Sequence, residues 1–296
     1  MKKFKGTGVA LITPFTKKGQ VDFKGVEKMV EHVIAGGKGV DYIVALGTTG
    51  ETATLDWEER LEVFACIEEK NRKRVPLVAG FGSNDTAKLI KEIKSFNFKG
   101  YDAILSASPY YSKPTQEGIF QHYKAICSET KLPVITYNVP GRTASNITAQ
   151  TTIRLAKEIK NIIAVKEASG DLIQCMEIVR DKPKDFLVIS GEDALTLPML
   201  SFGMDGVISV AANVWPVEFS KMVRLAMKGD FKNAASIHFH LLSGIHLLFA
   251  EGNPAGAKAF LSQQGIIDNQ LRLPLVPISK DLEGRLKAFS KQFKTN

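Results

Sequence analysis

The strongest constraint on how this chain folds is a rhythm. Apolar segments rich in small and β-branched residues recur at 6–15 (GTGVALITPF), 41–50 (DYIVALGTTG), 75–82 (VPLVAGFG) and 103–111 (AILSASPYY). Four more follow at 133–140 (PVITYNVP), 162–169 (IIAVKEAS), 186–193 (FLVISGED) and 206–213 (GVISVAAN). Short apolar runs bounded by turn residues fit strands buried on both faces. Between them the apolar residues take a helical spacing, as in Glu59, Leu61, Val63, Phe64 and Ile67, which the helix-start signal Thr54-Leu55-Asp56-Trp57-Glu58-Glu59 opens. Asn84-Asp85-Thr86 and Ser169-Gly170-Asp171 supply further helix starts. Strand–helix alternation argues for a parallel sheet with helical crossovers, and eight such units closing on themselves make an α/β (β/α)8 TIM barrel. The competing architecture is an open doubly wound sheet. Gly80-Phe81-Gly82 lacks the third glycine of a dinucleotide fingerprint, so it is read as a tight barrel turn.

Beyond residue 230 the strand-like runs stop. Helical segments are expected at Asn233 to Phe249, Ala255 to Gln264 and Asp281 to Phe293, with breaks at Gly252-Asn253-Pro254 and around Pro274 to Pro277. The chain therefore divides into a catalytic barrel, 1–229, and a C-terminal helical region, 230–296.

Charge and cysteine usage exclude several classes. The net charge is +8, but the basic residues are scattered and no nucleic-acid recognition motif accompanies them. Small anionic partners suit that charge better than nucleic acid or a membrane surface. Three widely spaced cysteines, Cys66, Cys127 and Cys175, form neither a disulfide framework nor a metal knuckle. The N-terminal apolar run is short and meets Pro14, so no signal peptide or membrane span is expected, and the expected location is the cytoplasm. His238 and His240, two apart in a helix, point to different faces and make a poor metal pair.

In a barrel of this type the reactive groups come from the carboxyl ends of different strands. Lys166 ends the run Ile162-Ile163-Ala164-Val165. Desolvation disfavours an ammonium, and a neutral amine attacks a carbonyl to form a Schiff base. The other strand ends carry Gly47-Thr48-Thr49, Tyr110-Tyr111, Tyr137 with Arg142 just beyond, Gly191, and Ile208. Each alone has an ordinary structural explanation; together they form a complete set for imine chemistry. Lys166 is the nucleophile, and Tyr137, Thr48 and Tyr111 form the proton shuttle that imine formation and hydrolysis require. Backbone N–H groups of the Gly47–Thr49 turn hold a small carboxylate at the following helix start, and Arg142 grips a second one with its planar fork. Gly191 and Ile208 complete the substrate-binding set. The iminium is itself the electron sink, so no cofactor and no metal is expected beyond the covalent imine on Lys166.

The motifs GTTGE (47–51), SPYYSKPTQEG (108–118), YNVPGRT (137–143), VKEASGD (165–171) and GVISV (206–210) stand in order along the chain. In this the sequence resembles the dihydrodipicolinate synthase family of pyruvate-dependent class I aldolases, over nearly its whole length. The resemblance implies that Lys166 is the Schiff-base lysine for pyruvate, with Tyr137, Thr48 and Tyr111 as the relay. It implies that Arg142 holds the carboxylate of L-aspartate 4-semialdehyde. It implies further that Tyr111 serves a neighbouring subunit's site, in a homotetramer built as a dimer of dimers. Two alternatives stay open: a related 2-oxo-acid aldolase or lyase, of the 2-keto-3-deoxy-acid or N-acetylneuraminate type, and a non-catalytic barrel that only binds a carboxylate.

Many members of the family are inhibited by L-lysine in a crevice containing histidine, asparagine and glutamate. Asn84 and Tyr110 match that site. Lys88 stands where the glutamate belongs, and Trp57 and Arg60 occupy the histidine-bearing helix start. A cation at 88 repels the ammonium of lysine, so insensitivity to L-lysine is expected.

Overall fold

The computed structural model describes residues 2–295. Among them eight strands close into a parallel barrel in sequence order. These are β1 (Gly6–Ala10), β2 (Tyr42–Ala45), β3 (Leu77–Gly80), β4 (Ala103–Ala107), β5 (Val134–Asn138), β6 (Ile162–Glu167), β7 (Leu187–Ser190) and β8 (Gly206–Ser209). The ring is completed by β1 pairing with β8, which settles the choice against an open sheet. Each strand lies inside one of the apolar segments of the sequence. The strands are shorter than those segments because runs such as Leu11-Ile12 leave the sheet yet stay buried at the barrel mouth.

The crossovers are helices: α1 (Phe23–Ile34), α2 (Trp57–Asn71), α3 (Thr86–Ser95), α4 (Gln116–Ser128), the short α5 (Pro140–Thr143), α6 (Ala149–Glu158), α7 (Leu172–Asp181), α8 (Thr196–Ser201) and α9 (Pro216–Met227). Their starts follow local chemistry. Asp56 and Glu59 form a reciprocal capping box on α2, Asp85 caps α3, Thr115 caps α4, and Asp171 caps α7. Strand alternation divides the apolar residues into two layers. Tyr42, Leu105, Ile135, Ile189 and Ile208 fill the barrel interior, whereas Val9, Ile104, Val165 and Val188 pack outward against the helices.

Three helices follow the barrel: α10 (Phe231–Phe249), α11 (Ala255–Gln263) and α12 (Lys280–Thr295). Their anchor is aromatic. The Trp215 ring, just before α9, stacks edge-on with Phe260 of α11 at 5.1 Å and Phe289 of α12 at 5.7 Å. Gly244 of α10 lets these rings approach, since a Cβ there would come within 2.7 Å of both Trp215 and Phe289 atoms.

Candidate active site

Register and alternation place the central lysine. In β6, Ala164 faces the barrel interior and Val165 the helices, so Lys166 faces inward again. Its lateral partners are Tyr137 of β5 and Ile189 of β7. Lys166 is only 5 % exposed although its side chain carries an amine. Its Nζ sits 4.2 Å from the centroid of the buried Tyr137 ring. Room for the lysine stem depends on Gly191: a Cβ there would lie 3.0 Å from Lys166 Cε and 2.5 Å from Ala168 Cβ. Ile208 lies in the same interior layer.

A cavity of about 570 Å³ opens at the carboxyl ends of the early strands. Its wall includes Gly47, Thr48, Tyr110, Tyr137 and Arg142. Tyr137 thus belongs to both environments, lining the cavity while its ring supports Lys166. Lys166, Gly191 and Ile208 lie off that wall. Thr49 also lies off it. It is buried, and its Oγ1 accepts a hydrogen bond from Asn253 Nδ2 at 3.0 Å. Tyr111 is 88 % exposed, with a left-handed backbone (φ 72°), and does not line the cavity of its own chain.

The Gly47–Thr49 turn differs from its sequence reading in one respect. No α-helix starts there. Thr48–Gly50 forms a single 3-10 turn, followed by a second at Thr52–Thr54, and α2 begins only at Trp57 under its own cap, Asp56. The left-handed conformation of Glu51 (φ 52°) breaks the helical path between the two turns. Any carboxylate held here is therefore held by the local amides of the turn, without the dipole of a long helix.

Two acidic residues, Glu192 and Asp193, lie within electrostatic reach of the lysine. Burial pushes the Glu192 carboxyl up, with Asp193 adding to the effect, while Lys166 and Arg142 pull it down. Asp193 is likewise raised by burial, although its Oδ2 accepts from the amides of Val210 and Ala211 at 3.0 and 2.8 Å. Those bonds tie the end of β7 to the end of β8. Glu167, next to Lys166 but on the outer face of β6, is raised by burial too; it accepts from Asn138 Nδ2, Ser169 N and Gln174 Nε2.

Sequence reasoning singled out neither this network nor the buried ion pair between Glu51 and Lys258 of α11, both wholly inaccessible. A signal for Lys258 existed. It stands in Ala-Gly-Ala-Lys-Ala-Phe-Leu, a cation alone in an apolar run, as Lys166 does.

Residues 3–293 match the model of the Dihydrodipicolinate synthetase family, and the chain belongs to that family. It is 50 % identical over 292 residues to a 4-hydroxy-tetrahydrodipicolinate synthase of Flavobacterium psychrophilum, covering 99 % of both chains. It is 52 % identical over 273 residues to the corresponding enzyme of Parabacteroides distasonis, covering 92 % of this chain and 91 % of that one. Among solved structures, a chloride-inhibited dihydrodipicolinate synthase of Acinetobacter baumannii complexed with pyruvate superposes with a TM-score of 0.94 at 40 % identity, covering 98 % of this chain and 99 % of that chain.

Proposed function

We infer that this enzyme condenses pyruvate with L-aspartate 4-semialdehyde to give 4-hydroxy-tetrahydrodipicolinate and water, by way of an imine on Lys166. The observation that carries this reading is the seating of Lys166: an amine almost fully removed from water, inside the barrel, against the ring of a tyrosine that also reaches the cavity. The Lys166 amine attacks the pyruvate ketone, and the carbinolamine loses water to form the imine. Loss of a methyl proton gives an enamine, whose carbon adds to the aldehyde. The amine of the second substrate then displaces Lys166, closing the six-membered ring and freeing the enzyme. Each of these steps moves a proton, and Tyr137 with Thr48 and Tyr111 forms the relay that moves them. The amides of the Gly47–Thr49 turn hold the pyruvate carboxylate, with Gly191 and Ile208 bounding the pyruvate pocket. Arg142, exposed at the rim of the cavity, holds the carboxylate of the aldehyde substrate. The chemistry calls for no cofactor, since the iminium accepts the electrons.

Borohydride trapping tests the reading. Intact mass with pyruvate should show one reduced pyruvyl group on Lys166, absent in Lys166→Ala. A protein that never acquires the adduct is a carboxylate binder only. Turnover of the two substrates, compared with cleavage of 2-keto-3-deoxy acids, separates the synthase from the aldolase alternative.

The same reading makes the enzyme a homo-oligomer, a tetramer assembled as two dimers, in which Tyr111 completes a neighbour's relay. The exposure of Tyr111, and its place off the wall of its own cavity, support this. Mixing inactive Tyr111→Phe with inactive Lys166→Ala should restore activity through hybrid dimers, and no restoration would count against it. The three cysteines are unpaired, which suits the reducing cytoplasm.

A further inference from the structure

The Gly47–Glu51 turn is held from the far end of the chain. Leu46 (φ 53°) and Glu51 (φ 52°) bracket it, both in the left-handed region that non-glycine residues avoid. Such residues persist where their surroundings over-determine them. Part of that determination is local: Thr52 Oγ1 donates to Leu46 O at 2.7 Å. The rest comes from beyond the barrel. The Glu51 carboxylate is paired with the Lys258 ammonium, with no exposed surface on either side chain, and it accepts from Arg272 N at 3.2 Å. The other bond of Lys258 Nζ runs to Gln270 O at 2.8 Å, and the ammonium lies 4.2 Å from the Phe15 ring centroid. Asn253 Nδ2 reaches Thr49 Oγ1. Arg272 Nη1 donates to Thr54 O at 2.8 Å just after the turn. Burial holds the Lys258 ammonium down at about 8 despite its carboxylate partner, so the site is as dry as its exposure indicates.

We propose that Lys258, acting through Glu51, and Asn253, acting through Thr49, are positioning residues for the reaction. The proposal rests on the imine reading of Lys166 and Thr48. Its content is that the helical segment after residue 230 fixes the geometry of the catalytic turn as well as covering the barrel. A buried ion pair is weak evidence for stability, because desolvation of both charges offsets their attraction. A device that instead fixes one backbone conformation accounts for its place, at the left-handed residue that closes the turn carrying Thr48 and Thr49. A purely adhesive pair would serve equally well anywhere along the contact between α11 and the barrel.

The full-length protein tests this with the double variant Glu51→Gln/Lys258→Met, which removes both charges at nearly constant volume and leaves no unpaired buried ion. Three quantities are measured: the thermal midpoint, KM for pyruvate, and the rate at which borohydride traps pyruvate on Lys166. The expected result is a midpoint close to that of the wild type, with trapping slowed by about tenfold or more and KM for pyruvate raised, as misplacement of a binding turn requires. Wild-type trapping rate and KM in the double variant overturn the proposal, whatever the midpoint does. Asn253→Ala, which loses one neutral hydrogen bond, decides by the same readouts if the double variant does not fold. Failure of the underlying reading is distinguishable, because it shows as absence of the Lys166 adduct in the wild type itself, and the positioning proposal then falls with it.

Discussion

Lys166 Nζ lies 4.2 Å from the centre of the Tyr137 ring, so one tyrosine both seats the amine and lines the cavity. The ring face attracts a cation by about 0.5 to 2 kcal/mol, more when water is excluded. The phenol, at the other end of the same ring, is the group suited to proton transfer. Tyr137→Phe separates the two contributions. The ring, and with it the seat of Lys166, remains; only the hydroxyl is lost. We expect kcat to fall by about 10² to 10⁴, the range for loss of a general acid–base, with the thermal midpoint little changed. Borohydride should still trap pyruvate on Lys166, but slowly. Full retention of kcat would remove Tyr137 from the relay.

Gly191→Ala presses on the same lysine from the other side. The added methyl would meet Ala168 Cβ at 2.5 Å and Lys166 Cε at 3.0 Å, while the Gly191 amide is fixed by its bond to Glu167 O at 2.7 Å. Overpacking of this kind costs roughly 1 to 3 kcal/mol of stability. Displacing a nucleophile by about 1 Å costs roughly 10²-fold in rate. Activity should therefore fall well beyond the fraction unfolded. Measuring kcat/KM at a temperature where denaturation curves show the variant fully native checks this.

Much of this arrangement was legible in the residues, and the gaps have identifiable causes. Strand positions follow from apolar runs because a barrel strand is buried on both faces, and helix starts follow from Asp56, Asp85 and Asp171 because a cap acts within three residues. Lys166 could be placed because its neighbours in sequence are also its neighbours in the strand. The Glu51–Lys258 pair could not, since its partners are 207 positions apart (258 minus 51) and meet only through tertiary packing. Glu167 escaped for a different reason. Alternation sends it to the opposite face of β6 from Lys166, where its partners Asn138 and Gln174 come from two other segments. The 3-10 geometry of Thr48–Gly50 depends on the left-handed Glu51, and no local signal specifies φ > 0 at a glutamate.

Insensitivity to L-lysine gains a structural argument. Arg60, Lys88, Glu92 and Tyr110 share the cavity wall with Thr48 and Tyr137, whereas Asn84 is exposed and lies off it. The Glu92 carboxylate is already taken by Arg60, at 3.0 Å, and the guanidinium is held over the Trp57 ring at 4.9 Å. An incoming ammonium thus meets the Lys88 cation beside an acid already paired with Arg60. Millimolar L-lysine should leave turnover above half its uninhibited rate. Lys88→Glu, which removes one repulsive charge and adds an acceptor, should lower the concentration needed for inhibition. Half-inhibition of the unaltered enzyme below the millimolar range would refute the expectation.

His122 gives the protein a stability that depends on pH in a defined window. It lies on α4, 4 % exposed; its Nδ1 bonds to Thr86 Oγ1 at 2.9 Å, and its Nε2 is buried with no hydrogen-bond partner among the described residues. Burial lowers its pKa from 6.5 to about 4. Between those values the unfolded chain binds a proton that the native state refuses, so acid favours unfolding. The contribution is fully present above pH 6.5 and is lost as pH falls through 4. Over the whole window it amounts to about 3 kcal/mol, of which about 2 kcal/mol is lost by roughly pH 5. Other titrating groups also act between pH 7 and 5, and a comparison with His122→Gln cancels them. The glutamine keeps a hydrogen-bonding group for Thr86 but cannot take up a proton. Urea denaturation at both pH values should show the wild type losing about 2 kcal/mol more than the variant on acidification. Equal losses in the two proteins would mean that His122 accepts its proton without leaving the core.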